Sequence, residues 1–526
     1  MKEIEEFKQL IIEKKYYEAH EALEELWFPI RKSKTNYCLV LKGFINGAVS
    51  LELFKRDKIV QSKNVYKTYM KYTTQERLNN LNETQYKEEF KKLKVFMNKQ
   101  FEVIYHNQYH LGTKHSFHSI RTSPNYLNWE EQPKVFKNYT SKKFISFDNT
   151  NKNHQLITLT AGLNAKKTYP GVEYYLRTNP SAGALYPIEL YFQSRGVDGF
   201  EDGIYHYEAN KDGATFLSTI ESNNGIDSYI LDDVKVEGFI FLFSSVYYRS
   251  SWKYKNRAFR YCLLDSGHML GSLEASSYVS SKECRIIYAF KKDELNRLFN
   301  FEEKEFFLAC AIVGAGHKDK IEKINFDLEY CDGTNSFEQN KMVEQGYINS
   351  LKINEKKSQN KQPKFNFNKD VYTNTINQRR SIREFMCDAI SKVEFESIMD
   401  IVTQPIFNDC DEEVSIYCVI NNVSNMEQGL YKDGEYLKTG NFRQQAGYLC
   451  LEQALGAQSG VTIFLTTTSQ NYQQAYQKAG IIGHRFYLVC EYLGIGCSGI
   501  GAYYDDEVNE FIEKNEMVLY GITIGR

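Results

Sequence analysis

The chain has 526 residues, which is too long for one hydrophobic core, so about three domains are expected. Its hydrophobic content of 42% and charged content of 25% are typical of a globular protein. The formal net charge of -2 provides no electrostatic attraction toward nucleic acid or an anionic membrane, and we expect neither as a partner.

Eleven cysteines are spread singly along the chain without a C-x-x-C pair, which argues against a zinc ribbon and a dithiol redox motif. The first residues, MKEIEEFKQLIIEKK, mix acids with bases and lack the apolar stretch of a secretory signal. No run approaches the roughly 20 apolar residues that span a bilayer. We therefore expect a cytoplasmic protein with reduced thiols and no bound metal.

Four segments follow one another in chain order. Residues 1–105 have apolar residues at helical spacing and predict a helical domain. Residues 106–330 predict a mixed domain, because the apolar runs IELYF, FIFLFSSV and FFLACAIVGA have the length of strands and alternate with helical patterns. Its opening stretch, 106–150, is polar and rich in histidine and aromatic residues, which indicates an ordered strap. Residues 331–368 predict a polar linker, and 369–526 predict a last domain.

The last domain repeats the pattern of the domain before it, and this repeat is the most informative feature of the sequence. The matched pairs are GIY (203–205) with GLY (429–431), Gly267-His268 with Gly483-His484, AFKKDELNRLF (289–299) with AYYDDEVNEFI (502–512), and LACAIVGA (308–315) with LYGITIGR (519–526). Such shared anchors over about 150 residues are not explained by composition alone.

The second copy has a cationic cluster and a glycine-rich stretch that the first copy lacks. The string QRRSIREF brings three arginines and a serine within five residues, a set that can bind a phosphate dianion. In CSGIGA, Gly499 and Gly501 would allow backbone to approach a flat ligand closely. The aligned residues of the first copy, Ile286 and Tyr288, cannot allow that approach.

The first copy in turn has two elements that the second lacks. One is the small-residue loop NPSAGALYP (179–187), which can expose backbone N–H groups to a ligand, and the other is the pair Lys253-Tyr254. The losses of the two copies are therefore complementary, as expected if both contribute to one site.

These motifs resemble the nitroreductase superfamily, through RRSIREF, the stretch GHRFYLVCEYLGIGCSGIGAYYDDEV and the terminal Gly525-Arg526. TKHSFHSIR, PSAGALYPIELY and the Lys-Tyr pair followed by RAFRY are similar to its SagB/McbC-type (SagB/ThcOx-like) FMN-dependent dehydrogenases. The resemblance covers residues 106–526 and implies an α+β fold of two nitroreductase-like α/β sandwich domains that form an intrachain pseudo-dimer. A small all-α helical domain precedes them, and its string YYEAHEALEELW resembles a small helical family of uncharacterised function.

The resemblance also implies a flavin site with one FMN per chain. Its implied FMN-binding residues are Arg379, Arg380, Ser381, Arg383, Ser498, Gly499, Ile500, Gly501 and Arg526 from the second copy, and Pro180, Ser181, Ala182, Gly183 and Ala184 from the first. Lys253 and Tyr254 inherit the catalytic role of proton removal that the Lys-Tyr pair has in this branch.

The implied activity is that of an FMN-dependent oxidoreductase, a dehydrogenase or oxidase acting on azoline heterocycles in a modified peptide or on a related small substrate. A cyclodehydratase would then be the partner. An NAD(P)H-dependent nitro or quinone reductase is the alternative enzyme, and a flavin-binding scaffold without turnover is the alternative of another class.

Two other motifs receive structural interpretations. GIGCSG (494–499) formally matches a Rossmann glycine motif, but it follows an amphipathic helix where that motif needs a strand before it. The histidines His106, His110, His115 and His118 could suggest a metal site, yet we interpret them as buried and solvated positions of the strap.

Overall fold

The computed structural model describes residues 2–56, 58–81, 84–106, 108–123, 127–140, 142–169, 172–351, 358–359 and 361–526. The chain divides into two compact units, residues 1–108 and 109–526.

The first unit is helical, as the sequence predicts. Its helices are α1 (Lys2–Ile12), α2 (Tyr16–Trp27), α3 (Asn36–Lys55), α4 (Ile59–Tyr72), α5 (Gln75–Asn79) and α6 (Thr84–His106). On α1 the buried residues Ile4, Phe7 and Ile11 share one face, which is the pattern of an amphipathic helix packed against a core. Thr35 and Thr74 cap α3 and α5 by accepting backbone N–H bonds.

Helix α3 has the length and composition of a membrane-spanning helix, and within the described residues it is the one helix that does. In the structure, 56% of its most apolar window is buried by the protein itself. Phe44, Ala48 and Leu51 belong to the core of the helical unit. This burial accounts for the apolar character of α3 as that of a core helix.

The described part of the second unit contains two large antiparallel sheets of seven and six strands, three two-stranded sheets, and helices. Its helices are α7 (Gln108–Leu111), α8 (Phe117–Thr122), α9 (Lys152–Ala161), α10 (Asp227–Ile230), α11 (Tyr248–Tyr254), α12 (Ala258–Val279), α13 (Lys292–Leu298), α14 (Lys341–Ser350), α15 (Lys369–Gln378), α16 (Lys392–Val402), α17 (Arg443–Leu449), α18 (Ala454–Gln458), α19 (Tyr472–Tyr492) and α20 (Asp505–Ile512). Its strands are β1 (Phe144–Ser146), β2 (Leu163–Tyr169), β3 (Val172–Arg177), β4 (Ile188–Arg195), β5 (Gly203–Glu208), β6 (Gly213–Thr219), β7 (Asn224–Gly225), β8 (Val234–Ser245), β9 (Arg285–Ile287), β10 (Phe306–Lys318), β11 (Glu322–Lys323), β12 (Ile390–Ser391), β13 (Ser415–Ile420), β14 (Val423–Ser424), β15 (Gly429–Lys432), β16 (Glu435–Thr439), β17 (Val461–Thr467), β18 (Gly496–Ile500) and β19 (Met517–Gly525).

The two sheets have the same strand order. The first runs β1-β6-β5-β4-β8-β10-β9 and the second runs β16-β15-β13-β17-β19-β18. The repeat anchors GIY and GLY lie on β5 and β15, and the anchors LACAIVGA and LYGITIGR lie on β10 and β19 with its final residue. The sequence repeat therefore corresponds to a repeat of the fold, apart from the edge strand β1 of the first sheet.

The two long helices α12 and α19 cross at very short distance. A Cβ atom on Gly267 would lie 2.8 Å from the Cα of Gly480, and a Cβ on Gly271 would lie 2.7 Å from the Cβ of His484. Nearly every residue of both helices is buried. Only glycine permits this approach, because any side chain would occupy the space of the other helix.

The segment predicted as a linker, 331–368, is more ordered than expected. Helix α14 lies within it, capped by Asn340 and anchored by the buried residues Val343 and Tyr347. The Tyr347 ring stacks on Phe306, with ring centroids 4.0 Å apart. Because the segment is polar overall, its composition did not predict this short amphipathic helix. Positions 352–357 and 360 of the segment lie outside the described residues.

The strap at 106–150 is held by buried polar contacts. Asp505 accepts a 2.6 Å bond from Arg260, a 2.9 Å bond from Arg257 and the backbone N–H of His115. Arg260 also donates to the carbonyl of His110. These contacts fasten the strap to both copies of the repeat, since the two arginines belong to the first and Asp505 to the second.

Replacing Gly267 by valine should lower the unfolding temperature of unit 109–526 and cost about 1–3 kcal/mol, because the side chain overpacks the helix crossing. Differential scanning calorimetry measures this change. Gly316→Ala is the control, since its added Cβ meets only one side-chain atom at 3.0 Å. Equal unfolding temperatures for the two variants would contradict the close crossing.

Candidate functional site

A cavity of about 220 Å³ lies between the two copies of the repeat, and we call it the shared cavity. Its lining residues from the first copy are Pro180, Ser181, Ala182, Gly183, Tyr254, Tyr261, Leu264, Asp265 and His268. Those from the second copy are Ser381, Arg383, Gln453, Tyr487, Ser498, Gly499, Ile500, Gly501, Ala502 and Tyr520. The structure thus brings together the small-residue loop, the glycine stretch and part of the cationic cluster. None of the described strap residues lines this cavity.

The loop 180–184 is fixed by one buried carboxylate. The hydroxyl of Ser181 donates a 2.5 Å hydrogen bond to Asp265, and the backbone N–H of Ala182 donates to the same carboxylate at 3.3 Å. Ser181 Oγ also accepts the N–H of Tyr186 at 2.9 Å. These bonds hold the loop against α12, and its turn leaves Ala184 outside the cavity lining.

Gly499 and Gly501 are surrounded by tyrosines of the chain itself. The space of a Cβ on Gly499 is taken by the hydroxyl of Tyr520, and that of a Cβ on Gly501 by the ring of Tyr261. The N–H of Gly499 donates to the hydroxyl of Tyr487 at 2.7 Å. The sequence predicts that these glycines let backbone approach a ligand, whereas here they also make room for the tyrosines of the cavity wall.

The four arginines predicted to bind phosphate do not act as one group. Arg379 is buried and donates to the carbonyls of Thr178 and Arg177 at 2.9 and 3.2 Å. Arg380 donates to the carbonyl of Asn164 at 3.0 Å and to carbonyls of its own segment. Both therefore fasten the second copy to the backbone of the first, and neither lines the shared cavity. Their predicted role in binding FMN stays a prediction.

Arg526 also lies outside the cavity lining, because it forms an ion pair with Glu394. Arg383 differs from the other three. It is exposed, it lines the cavity, and within the described part of the chain it makes no hydrogen bond or ion pair. The neighbouring Ser381 lines the cavity too and lies 2.8 Å from the Tyr487 hydroxyl. Arg383 is thus the predicted cation that remains available to an anion in the cavity.

Lys253 and Tyr254 meet the loop at Gly183. A Cβ on Gly183 would lie 2.8 Å from the Tyr254 hydroxyl and 3.2 Å from Lys253 Nζ, and the residue has a φ of +65°. Tyr254 lines the cavity and stacks on Tyr261, with ring centroids 4.1 Å apart, whereas Lys253 lies just behind the lining. Burial lowers the pKa of Lys253 and raises the pKa of Tyr254.

Asp265 and His268, one turn apart on α12, are functional candidates that the sequence did not single out. Burial raises the pKa of Asp265 to about 7, although hydrogen bonds from Ser181 and Ala182 act in the opposite direction. Burial and the charge of Arg379 lower the pKa of His268 to about 3. Its Nε2 atom lies 2.9 Å from the Tyr520 hydroxyl. The sequence feature that indicates Asp265 as a candidate is its single carboxyl within the apolar helix string YCLLDSGHML.

The equivalent positions in the first copy carry large side chains. Ile286 and Tyr288, which align with Gly499 and Gly501, are buried. The backbone N–H groups of Tyr288 and Ala289 donate to Asp409 at 2.9 and 3.0 Å. The first copy thus has two large side chains where the second copy has the two glycines that line the shared cavity.

The GIGCSG string begins after α19 and continues into β18. A Rossmann motif requires a strand before the glycines and a helix after them, and here the order is reversed. The string instead supplies the edge strand whose end lines the shared cavity. Among the described residues, no group of three or more His, Cys, Asp or Glu side chains is arranged to hold a metal ion.

Comparison with known proteins identifies both ends of the chain. Residues 376–526 match the Nitroreductase family, and residues 4–65 match DUF309, a domain of unknown function. A protein of Methanocaldococcus jannaschii that is named with the nitroreductases is 25% identical over 134 residues, which are 25% of this chain and 68% of that protein.

Among solved structures, a protein of Anabaena variabilis named with the nitroreductases has a TM-score of 0.65 and 24% identity. The match covers 80% of this chain and 99% of that chain, so the fold is shared by nearly the whole of that protein. The E. coli microcin synthetase McbBCD complex with truncated pro-MccB17 bound matches 41% of this chain and 93% of that chain. Its TM-score of 0.26 and identity of 16% support no functional argument.

Replacing Gly183 by alanine should displace Tyr254 and Lys253 and also strain the backbone, at about 1 kcal/mol for the left-handed conformation. Gly196→Ala is the matched control, because its φ is +63° and nothing lies within 4 Å of an added Cβ. Both variants should lose similar stability in thermal melts. A crystal structure or the near-ultraviolet circular dichroism of the tyrosines should change only in Gly183→Ala, and equal spectra would contradict the contact.

Proposed function

We propose that this chain, which carries a nitroreductase-family domain at residues 376–526, is an FMN-dependent oxidoreductase with one flavin site. One observation carries the proposal. The loop 180–183 of the first copy and the stretch 498–501 of the second copy line the same cavity, although more than 300 residues separate them in the sequence. With a single flavin site, the two copies would form an intrachain pseudo-dimer that has kept one of two equivalent sites.

The residues of the shared cavity fit FMN. Its walls combine tyrosine rings with small residues, which suit a flat aromatic ligand. Arg383 and Ser381 offer a free cation and a hydroxyl for the phosphate and the ribityl chain. Arg379 Nη1 is buried and lacks a hydrogen-bond partner within the described residues, beside the wall formed by Tyr487. Such an unsatisfied donor is expected where a polar ligand or water belongs.

FMN, when bound, supplies the acceptor for a hydride, so the protein must provide geometry and a route for the proton. Lys253 is suited to accept that proton at Nζ, because its lowered pKa increases the neutral fraction. Tyr254 has a raised pKa, stays protonated and can donate a hydrogen bond into the cavity. The loop 180–183 lines one wall of the cavity and lies against both side chains at Gly183.

The substrate we propose is an azoline ring in a modified peptide, or a related small heterocycle. The support is the resemblance of the Lys253-Tyr254 pair and of PSAGALYPIELY to the SagB/McbC-type dehydrogenases. A cyclodehydratase that forms the azoline would then act before this enzyme.

The second candidate is an NAD(P)H-dependent nitro or quinone reductase, which is favoured by the names of the Methanocaldococcus and Anabaena relatives. Anaerobic mixing of the FMN-loaded protein with NADPH or NADH separates the two. Rapid bleaching of the flavin, followed by turnover with a quinone, supports the reductase, whereas slow bleaching and fast re-oxidation by oxygen support the dehydrogenase. A scaffold without turnover would give neither response.

Titration with FMN should give one flavin per chain, and Arg383→Ala should weaken FMN binding about 10- to 100-fold because a charge-assisted phosphate contact is lost. Riboflavin has no phosphate, so its affinity should change little. Arg297→Ala, outside the shared cavity, is the control. Quenching of flavin fluorescence measures both ligands. Two flavins per chain would contradict the single site, and unchanged FMN affinity would contradict the role of Arg383.

Lys253→Met should lower kcat about 10²- to 10⁴-fold, the usual contribution of a general base. In the wild type, kcat should rise with pH as Lys253 loses its proton, with a midpoint below the ordinary lysine value of 10.5. The variant should lack this rise. Lys255→Met is the matched control, since this neighbouring lysine is exposed. An unchanged pH profile in Lys253→Met would show that another group takes the proton.

A further inference from the structure

Asp265 is the buried acid of the shared cavity, and the proton route through Lys253 and Tyr254 does not use it. It is only 3% exposed and lies on α12 between the loop 180–184 and the cavity. In the described part of the chain, burial and the hydrogen bonds from Ser181 and Ala182 determine its pKa, and no ion pair contributes. It accepts hydrogen bonds from the Ser181 hydroxyl and the Ala182 N–H.

The hydrogen bonds of Ser181 make this pair sensitive to a single proton. Ser181 Oγ accepts a hydrogen bond from the N–H of Tyr186 and donates its own hydrogen to Asp265. If Asp265 is protonated, it can donate to Ser181 Oγ instead, and the serine hydrogen becomes free to turn toward the cavity. The Ala182 N–H can keep its bond to the other carboxyl oxygen in either state.

We propose that Asp265 is a positioning residue that sets, through its proton, whether Ser181 offers a hydrogen-bond donor to the cavity. When ionised, Asp265 holds the loop and accepts the hydrogen bond of the Ser181 hydroxyl. When protonated, it holds the loop and releases that hydrogen toward an electron-rich ligand. This inference concerns the site of the proposed function and adds a proton-dependent donor to it.

The pH at which Asp265 gains or loses its proton depends on its burial and on the titratable groups around it. Burial raises its pKa to about 7. The titratable groups that face it are Tyr186 of the loop, Tyr254 of α11, Cys262 and His268 of α12, and Tyr520 of β19. Burial raises the pKa of the three tyrosines, raises that of Cys262 to about 12 and, with the charge of Arg379, lowers that of His268 to about 3.

Two further charged groups are near, the guanidinium of Arg383, which lines the cavity, and Lys253, whose Nζ would lie 3.2 Å from a Cβ on Gly183. Burial lowers the pKa of Lys253 from its ordinary value, so its charge also responds to pH. Lys253→Met therefore serves as a background in which its contribution is removed.

Infrared spectroscopy of the protein without added flavin tests the proton directly. A protonated carboxyl band should be present at pH 5, should disappear with a midpoint near 7, and should be absent from Asp265→Asn. The midpoint should persist in Lys253→Met. In Ser181→Ala it should move to higher pH, because the hydrogen bond from Ser181 opposes protonation. A wild-type spectrum without a band that depends on Asp265, or an unmoved midpoint in Ser181→Ala, would overturn the proposal.

The effect on the ligand is measured as the ratio of FMN dissociation constants in wild type and Asp265→Asn between pH 5.5 and 8.5. Titration of the FMN phosphate affects both proteins and cancels in this ratio. The wild-type dissociation constant divided by that of Asp265→Asn should rise about tenfold toward pH 8.5. The reason is that the ionised carboxylate of the wild type repels an electron-rich ligand and accepts the serine hydrogen. A constant ratio would overturn the proposal. A chain that binds no FMN would instead refute the proposed function, and the infrared titration would remain decisive for Asp265.

Discussion

The crossing of α12 and α19 is the constraint on which the site depends. Both helices are almost fully buried, and Gly267 meets Gly480 without room for a side chain between them. This contact places His268 beside Tyr487 and Tyr520, so that one helix from each copy contributes to the same wall. The wall therefore depends on helix packing, and its polar residues Asp265 and His268 lie on either side of Gly267 at the crossing.

The repeat and its consequences could be predicted from the sequence. Short anchors such as GIY and GLY fall on equivalent strands, because strand order follows from the order of apolar runs and turns along each copy. The complementary losses also indicated which copy would contribute which part of the cavity. The loop at Ser181 and the strand at Gly499 line it together.

The roles of single side chains were harder to predict. Arg379 and Arg380 look like ligand-binding cations in the string QRRSIREF, yet their guanidinium groups satisfy backbone carbonyls of the other copy. A sequence pattern reports charge and spacing but not which carbonyls lie nearby in the fold. Asp265 and Tyr487 were missed for a related reason. With 39 tyrosines in the chain, no single tyrosine stands out, and one carboxyl in an apolar helix has no partner visible in the sequence.

The pairing of Arg379 and Arg380 with the backbone near Arg177 and Asn164 affects how the cavity is kept together. In an assembly of separate subunits, a pocket at the interface is lost when the protein is diluted, because its walls dissociate. Here both walls belong to one polypeptide, so their association is a first-order event with a high effective concentration. Covalent linkage thus makes the assembly of the pocket independent of protein concentration, and it allows each copy to specialise for one side of the pocket.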